Sequence, residues 1–339
     1  MGVWGYIGQR IVLAIVVLFI VSVAAFALAH AVPGDPITAL ISDRQADRPE
    51  VRAALERRWG LDRPVLVQYL YYIRNLLHGD LGESISTRNP VAEDLKRFVP
   101  ATVELTVAAM LFALSFGLPL GIIAGIYQNR WPDYLARMLA LLGTSVPVFW
   151  LGLLLLYIFF YRLQWVPGPG QLDVGMPRPE HVTGMITVDA VLARDWDAFR
   201  SVLHHLILPT VVLGAYAMGI IARMVRSSLV AVLSEDYVRT ARAKGLVERR
   251  VVVEHALRNA LIPAITVLGL TFASLLAGAV LTETIFSWPG IGQYAVKTAT
   301  KLDYPGLLGV TLVVAVTYVL FNLVVDIIYG ILDPRIRIG

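Results

Sequence analysis

The chain has 339 residues, 57% hydrophobic and 16% charged, against about 25% charged in an ordinary soluble domain, and its mean hydropathy of +0.67 excludes the profile of a water-soluble enzyme. The balance of 29 basic and 25 acidic residues, +4 overall, is too mild to imply a nucleic-acid partner. Cysteine is absent, so disulfides, thiolate metal sites and thiol nucleophiles are ruled out.

Six apolar runs free of Asp, Glu, Lys and Arg occupy residues 11–29, 105–127, 138–161, 206–222, 260–281 and 307–325. Each is near the roughly 20 residues that a helix needs to cross the hydrocarbon layer. Runs this long without strand-like alternation are helices, because in lipid each backbone polar group must be satisfied within its own segment. The expected fold is all-α: a polytopic membrane protein with six transmembrane helices. Residues 1–29 form a cytoplasmic N-terminus and first helix, 30–104 an extracytoplasmic segment, and 105–339 a core of five helices. The first run closes on Ala27-Leu28-Ala29, which resembles a signal-peptidase site, yet it exceeds the about 7–15 apolar residues of a signal core and reads as an uncleaved helix.

In the first outer segment, residues 51–58 and 65–77 are amphipathic and suit a small helical cap. Within the second run, Gly117, Gly121 and Gly125 form a stripe at four-residue spacing that admits a close helix neighbour. Pro119, Pro147, Pro209 and Pro263 each remove a ladder hydrogen bond and favour a kink or a helix start. No Asp, Glu, Lys or Arg lies inside a run, which argues against a proton relay. His204 and His205 sit at the outer edge of the fourth run, in a solvated interfacial role.

With both termini inside, residues 1–10, 128–137, 223–259 and 331–339 carry 13 Lys and Arg, against 6 in the shorter outer loops 162–202 and 284–306. The positive-inside rule therefore places both termini in the cytoplasm. Neither GxxxxGK[ST] nor HExxH occurs, so the chain has no visible ATP site or zinc-hydrolase motif of those types. A transporter with no energy source of its own needs a partner.

The cytoplasmic segment 223–259 is the most informative. Ser234 suits an N-cap, Glu235 and Asp236 the positive end of a helix dipole, and Arg242 and Lys244 its negative end. Gly245 then stops a short extramembrane helix as its C′ residue, with small Ala241 and Ala243 allowing close contact; by composition alone, a helix lying on the bilayer surface is the alternative.

Asp236-Tyr237, then Arg239, Thr240, Ala241, Arg242, Ala243, Lys244, Gly245 and Leu246, followed by His255 to Ala260 and Pro263, resemble the EAA loop of ABC-importer permeases in the variant carried by peptide permeases. The triplet glutamate of the general pattern is missing, since Arg239, Thr240 and Ala241 fall there. Further motifs resemble the B subunit of dipeptide and oligopeptide permeases: Pro33-Gly34-Asp35-Pro36, Gly60-Leu61-Asp62-Arg63-Pro64, Gly79-Asp80-Leu81-Gly82, Leu281 to Gly292, and Asp333-Pro334-Arg335-Ile336-Arg337. Thr183-Gly184-Met185-Ile186 with Asp189-Ala190 is most similar to the dipeptide subunit.

The resemblance implies a type I importer permease in a prokaryotic plasma (inner) membrane. It implies a homologous C-type permease as heterodimer partner, two ATPase subunits holding ATP and Mg, and an extracytoplasmic peptide-binding protein, with no cofactor and no catalytic residue in this chain. Residues 237–245 are then expected to carry motion from the ATPases. Phe286, Trp288, Pro289 and Gly290, after the fifth run, are expected to form an outer gate or a binding-protein contact, with interfacial anchoring by Trp288 as the alternative. Nickel, glutathione and longer peptides are the alternative cargoes within the family; a proton-coupled secondary carrier and an intramembrane enzyme are the alternatives outside it.

Overall fold

A computed structural model describes residues 3–31, 50 and 63–332. The amphipathic stretch 51–58, the motifs at 33–36, 60–62 and 333–337, and the C-terminal tail lie outside the described residues. In chain order the helices are α1 (Val3–Ala31), α2 (Val65–Leu77), α3 (Val91–Ile126), α4 (Trp131–Ser145), and α5 (Val148–Leu155), which continues as a π-helical turn through Arg162. Then come α6 (Ile186–Leu192), α7 (Trp196–Leu233), α8 (Asp236–Ala243), the single turn α9 (Glu248–Arg250), a π-helical stretch (Val251–Ala256), and α10 (Leu257–Gly278). The chain finishes with α11 (Val280–Ile285), α12 (Ile291–Thr300) and α13 (Tyr304–Leu332).

Five of these helices are long and apolar enough to cross a membrane, and the sixth expected span is a broken pair. Helices α4 and α5 meet at 102°, so the run at 138–161 is two short legs and not one straight span. Pro147 is the cause: it has no N–H to continue α4, and it holds Val146 extended at φ −78° and ψ 125°. Pro119, Pro209 and Pro263, in contrast, lie inside α3, α7 and α10 without interrupting them, because packed neighbours can support a helix that has lost one rung.

Helix α7 is the axis of the bundle. Its 38 residues span roughly 57 Å at 1.5 Å per residue, about twice the hydrocarbon thickness, so it projects well beyond the bilayer. The glycine stripe of α3 lies against it: a Cβ on Gly121 would stand 2.7 Å from the Ala222 carbonyl, and one on Gly125 2.8 Å from Leu229. Backbones this close gain dispersion contact in a medium that offers no hydrophobic drive for helix association. On the other side, Asp133 at the start of α4 is wholly buried and accepts two hydrogen bonds from Arg226, 2.6 and 2.8 Å long, and one from the Asn129 N–H at 2.9 Å. Helix α10 also packs on α7, α13 on α10, and α1 on α13.

The segment before α3 and the turns around α12 are knitted together by hydrogen bonds. Buried Asp303 accepts from the Ser84 hydroxyl (2.5 Å), the Ser86 N–H and the Gly306 N–H, joining the segment before α3 to the α12–α13 turn. Asp94 accepts from Thr87, and from the Tyr294 hydroxyl at 3.0 Å. Helix α3 starts at Val91, so it crosses the boundary expected at 104. Helix α2 fills the bounds expected for it and leans on α1, with Tyr69 and Phe26 edge to face at 5.3 Å and the Tyr69 hydroxyl 2.9 Å from that of Ser22.

Candidate functional site

Helix α8 follows α7 after a short turn at Ser234 and Glu235. Val238 (0% exposed) and Ala241 face inward onto Val251, Val232, Leu233 and Leu246. Asp236, Tyr237, Arg239, Thr240, Arg242, Ala243 and Lys244 are all exposed. One apolar residue per turn thus seats the helix, and everything else is presented outward. Of the two alanines expected to permit close approach, Ala241 serves this chain's own packing and Ala243 faces out.

The ends of α8 settle its caps. Ser234 does not cap α8: its hydroxyl donates to the Ala231 carbonyl at 2.6 Å and it closes α7, while Glu235 is the N-cap position. The reason is that α7 continues to Leu233, well past the end of its apolar run, leaving one residue fewer for the turn. Gly245 has φ +75°. Its N–H donates to the Arg242 carbonyl at 2.9 Å, and the next N–H, of Leu246, reaches Ala241 at 3.4 Å, a Schellman arrangement in which Leu246 folds back onto the helix.

Behind α8, the Tyr237 hydroxyl accepts from Asn259 Nδ2 at 2.8 Å and donates to the His255 carbonyl at 3.4 Å. The two halves of the loop motif therefore meet, and α8 is tied to the root of α10. Arg242 donates to both carboxylate oxygens of Glu248, at 3.1 and 2.7 Å, and that carboxylate holds the guanidinium above its ordinary range. Val238 and Asn259 are contributors to which the sequence alone assigned no role. Val238 could have been found as the one branched aliphatic residue of α8.

The hairpin after α11 is organised in the opposite way. Trp288 is 0% exposed, inside the main core cluster with Ala101, Leu105 and Leu275, and its indole N–H donates to the Ala101 carbonyl at 2.8 Å. Phe286 is buried in a different cluster, with Leu208 and Val212. Glu283, also 0% exposed, accepts from the Thr102 hydroxyl at 2.6 Å and from the Gln293 N–H at 3.1 Å, and Thr102 accepts from the Ile291 N–H at 2.7 Å. A Cβ on Gly290 would run into the Glu283 carboxylate and the Thr102 hydroxyl, so glycine is needed there for close approach, and Pro289 sets the turn. Three hydrogen bonds, one of them from the indole, thus clip the hairpin onto α3. The indole of Trp288 is turned into the chain's own core and presents nothing to the exterior. Glu283 and Thr102 had no role assigned from the sequence, since a threonine on an apolar helix carries no signal of a partner that far along the chain.

The segment from Thr183 to Ala190 is a loop clasp. Asp189 accepts from the Thr183 N–H and hydroxyl, both at 2.7 Å, and from the Gly184 N–H at 3.0 Å. Burial pushes its carboxyl up, but these donors outweigh burial and hold it below the usual carboxylate range.

This is a helical membrane protein with a short helix held out where its central span extends beyond the bilayer, the architecture of a transporter's membrane subunit. Residues 117–338 match the family model described as binding-protein-dependent transport system inner membrane component, and residues 3–106 match that of the N-terminal region of such membrane components. The chain is 47% identical over 336 residues to the "Probable D,D-dipeptide transport system permease protein DdpB" of Escherichia coli K12, covering 99% of this chain and 98% of the relative. It is 47% identical over 332 residues to the "Di/tripeptide transport system permease protein DppB" of Pseudomonas aeruginosa, covering 98% of each. It is 43% identical over 334 residues to the "Dipeptide transport system permease protein DppB" of Alkalihalophilus pseudofirmus, covering 98% and 99%. The chain therefore belongs to the binding-protein-dependent inner-membrane permease family: it is a multi-pass inner-membrane permease subunit of an ABC importer.

Proposed function

We propose that the chain forms one half of the translocation path of an importer for dipeptides and other short peptides, paired with a homologous C-type permease. Two ATPase subunits, carrying ATP and Mg, dock on the cytoplasmic side, and an extracytoplasmic binding protein delivers the peptide. Both termini lie in the cytoplasm. The observation that carries this reading is α8, seated by Val238 and Ala241, joined through Tyr237 to α10, and mounted on the end of α7. When nucleotide closes the ATPase pair, α8 moves with it. Helix α7 then acts as a lever that carries α3 and α4 along, because the glycine stripe and the Asp133–Arg226 pair leave them no freedom to slide. Asp236, Tyr237, Arg239, Thr240, Arg242, Ala243 and Lys244 form the docking face. Phe286 to Gly290 act as a latch that keeps the outer ends of α3 and α10 together, a role that supports gating without contact between Trp288 and the binding protein.

The test is reconstitution of the complete transporter in proteoliposomes. Dipeptide uptake is expected to require ATP and the binding protein and to persist when the proton gradient is collapsed. Uptake driven by a proton gradient without ATP, or by this chain alone, would overturn the reading. Cross-linking from Trp288→Cys to the binding protein in any nucleotide state would overturn the latch role.

A further inference from the structure

The break between α4 and α5 lies within an apolar stretch, yet its backbone is irregular and Ser145 and Pro147 are exposed on the surface of the chain. Helix α5 begins with no side-chain cap, and Pro147 supplies no N–H. Non-helical backbone at membrane depth persists only where protein covers it or water reaches it, never against lipid.

Arg223 points at this break. Its Nη1 donates to the Thr144 hydroxyl at 2.7 Å, at the end of α4 remote from the Asp133–Arg226 pair. An arginine near the end of a lipid-facing span turns its charge toward the nearby aqueous interface; Arg223 reaches the other way. Among the described residues it has no carboxylate partner, whereas Arg137, Arg226, Arg239, Arg242 and Arg250 each have one. Helix α7 is also the most enclosed of the spans, and the exposed strip along its later half carries Tyr216, Arg223 and Ser227, at spacings of seven and four that put them on one face. The exposed face of α1, in contrast, is Ile, Val, Leu and Phe, as lipid requires.

We propose that this face of α7, with the α4–α5 break, lines the path, and that the Arg223 guanidinium, steadied by the Thr144 hydroxyl, receives the carboxylate of the passing peptide. The inference rests on the peptide-import reading above. A guanidinium presents a planar fork matched to a carboxylate, and with one arm on Thr144 it keeps others for a ligand. The second permease supplies the opposite wall.

Because the chain has no cysteine, single cysteines report directly in the complete reconstituted transporter with cysteine-free partners. Ser145→Cys and Tyr216→Cys are expected to react with a charged, membrane-impermeant thiol reagent in at least one nucleotide state, and more slowly while dipeptide is being transported. Val16→Cys on α1 is expected to stay unreactive. If neither Ser145→Cys nor Tyr216→Cys reacts in any state, this face does not line the path. For the carboxylate, uptake of a dipeptide and of its C-terminal amide is compared with the same binding protein. The acid-to-amide ratio is expected to fall about tenfold in Arg223→Gln, as for loss of one charged hydrogen-bonded pair, and less in Arg223→Lys. An unchanged ratio overturns the role of Arg223. If Arg223→Gln fails to assemble, the Arg223→Lys ratio decides. If wild type carries neither compound, the import reading fails, and the labelling still decides whether the face lines a path.

Discussion

The short helix α8 and the hairpin after α11 are both marked by brief, distinctive sequence motifs, and they are built on opposite physical plans. In α8 the polar side chains point out and Val238 and Ala241 hold the helix. In the hairpin the motif residues Glu283, Phe286 and Trp288 point in and are satisfied by their own chain. The first leaves its outward groups accessible to water or to a partner. The second is a clasp, because any partner would have to break internal hydrogen bonds before it could use them. A motif by itself says that residues are constrained; burial says by what.

The largest effect expected of a test of this contrast is at Trp288. Trp288→Ala leaves a void in the main cluster and removes the indole's hydrogen bond to the Ala101 carbonyl, at a cost of roughly 3–5 kcal/mol, and should sharply lower the yield and melting temperature of the purified complex. A variant that assembles and melts normally would break the clasp description. Next comes Gly245, where open space surrounds the Cβ position but the φ of +75° strains any other residue by roughly 1–2 kcal/mol. Gly245→Ala and Gly245→Trp share that strain, so a much greater loss of uptake in the tryptophan variant measures obstruction of docking. Equal loss in the two would mean that strain alone is at work.

Tyr237→Phe removes the hydroxyl that joins α8 to Asn259, a bond worth about 0.5–1.5 kcal/mol. Uptake is expected to fall severalfold while the melting temperature drops by no more than about 2–4 °C, since Val238 still seats the helix. Arg242→Gln breaks an exposed ion pair with Glu248 and should change stability by less than about 1 kcal/mol, with the difference vanishing at high salt. Smallest is the Asp189 clasp. Its depressed folded-state pKa gives stability that is fully present above the unfolded value near about 4 and is lost as pH falls through the folded value. Melting temperature should therefore show no titration from this group between about pH 5 and 8.

The apolar runs made the number and class of the spans legible, because a stretch without charge that is as long as the hydrocarbon layer is thick suits a spanning helix and little else. Their ends were less so: α3 begins at Val91 and α7 ends at Leu233, since helices continue into water wherever propensity and packing allow, beyond the last apolar residue. That overrun is why Ser234 caps α7 and not α8. The C′ role of Gly245 was readable because a left-handed cap is a local property of a few residues.

Sequence alone determined that this is a six-segment membrane subunit with a short extramembrane helix in its most basic loop, since hydropathy, charge placement and cap chemistry are local or additive along the chain. Tertiary structure decided which of four prolines breaks a span, which motif is a surface and which a clasp, and that Thr102, Asn259 and Asp133 matter at all. Each of those outcomes depends on what a residue meets across the bundle, through hydrogen bonds and close packing between segments far apart in the chain, and no periodicity or composition encodes that partner.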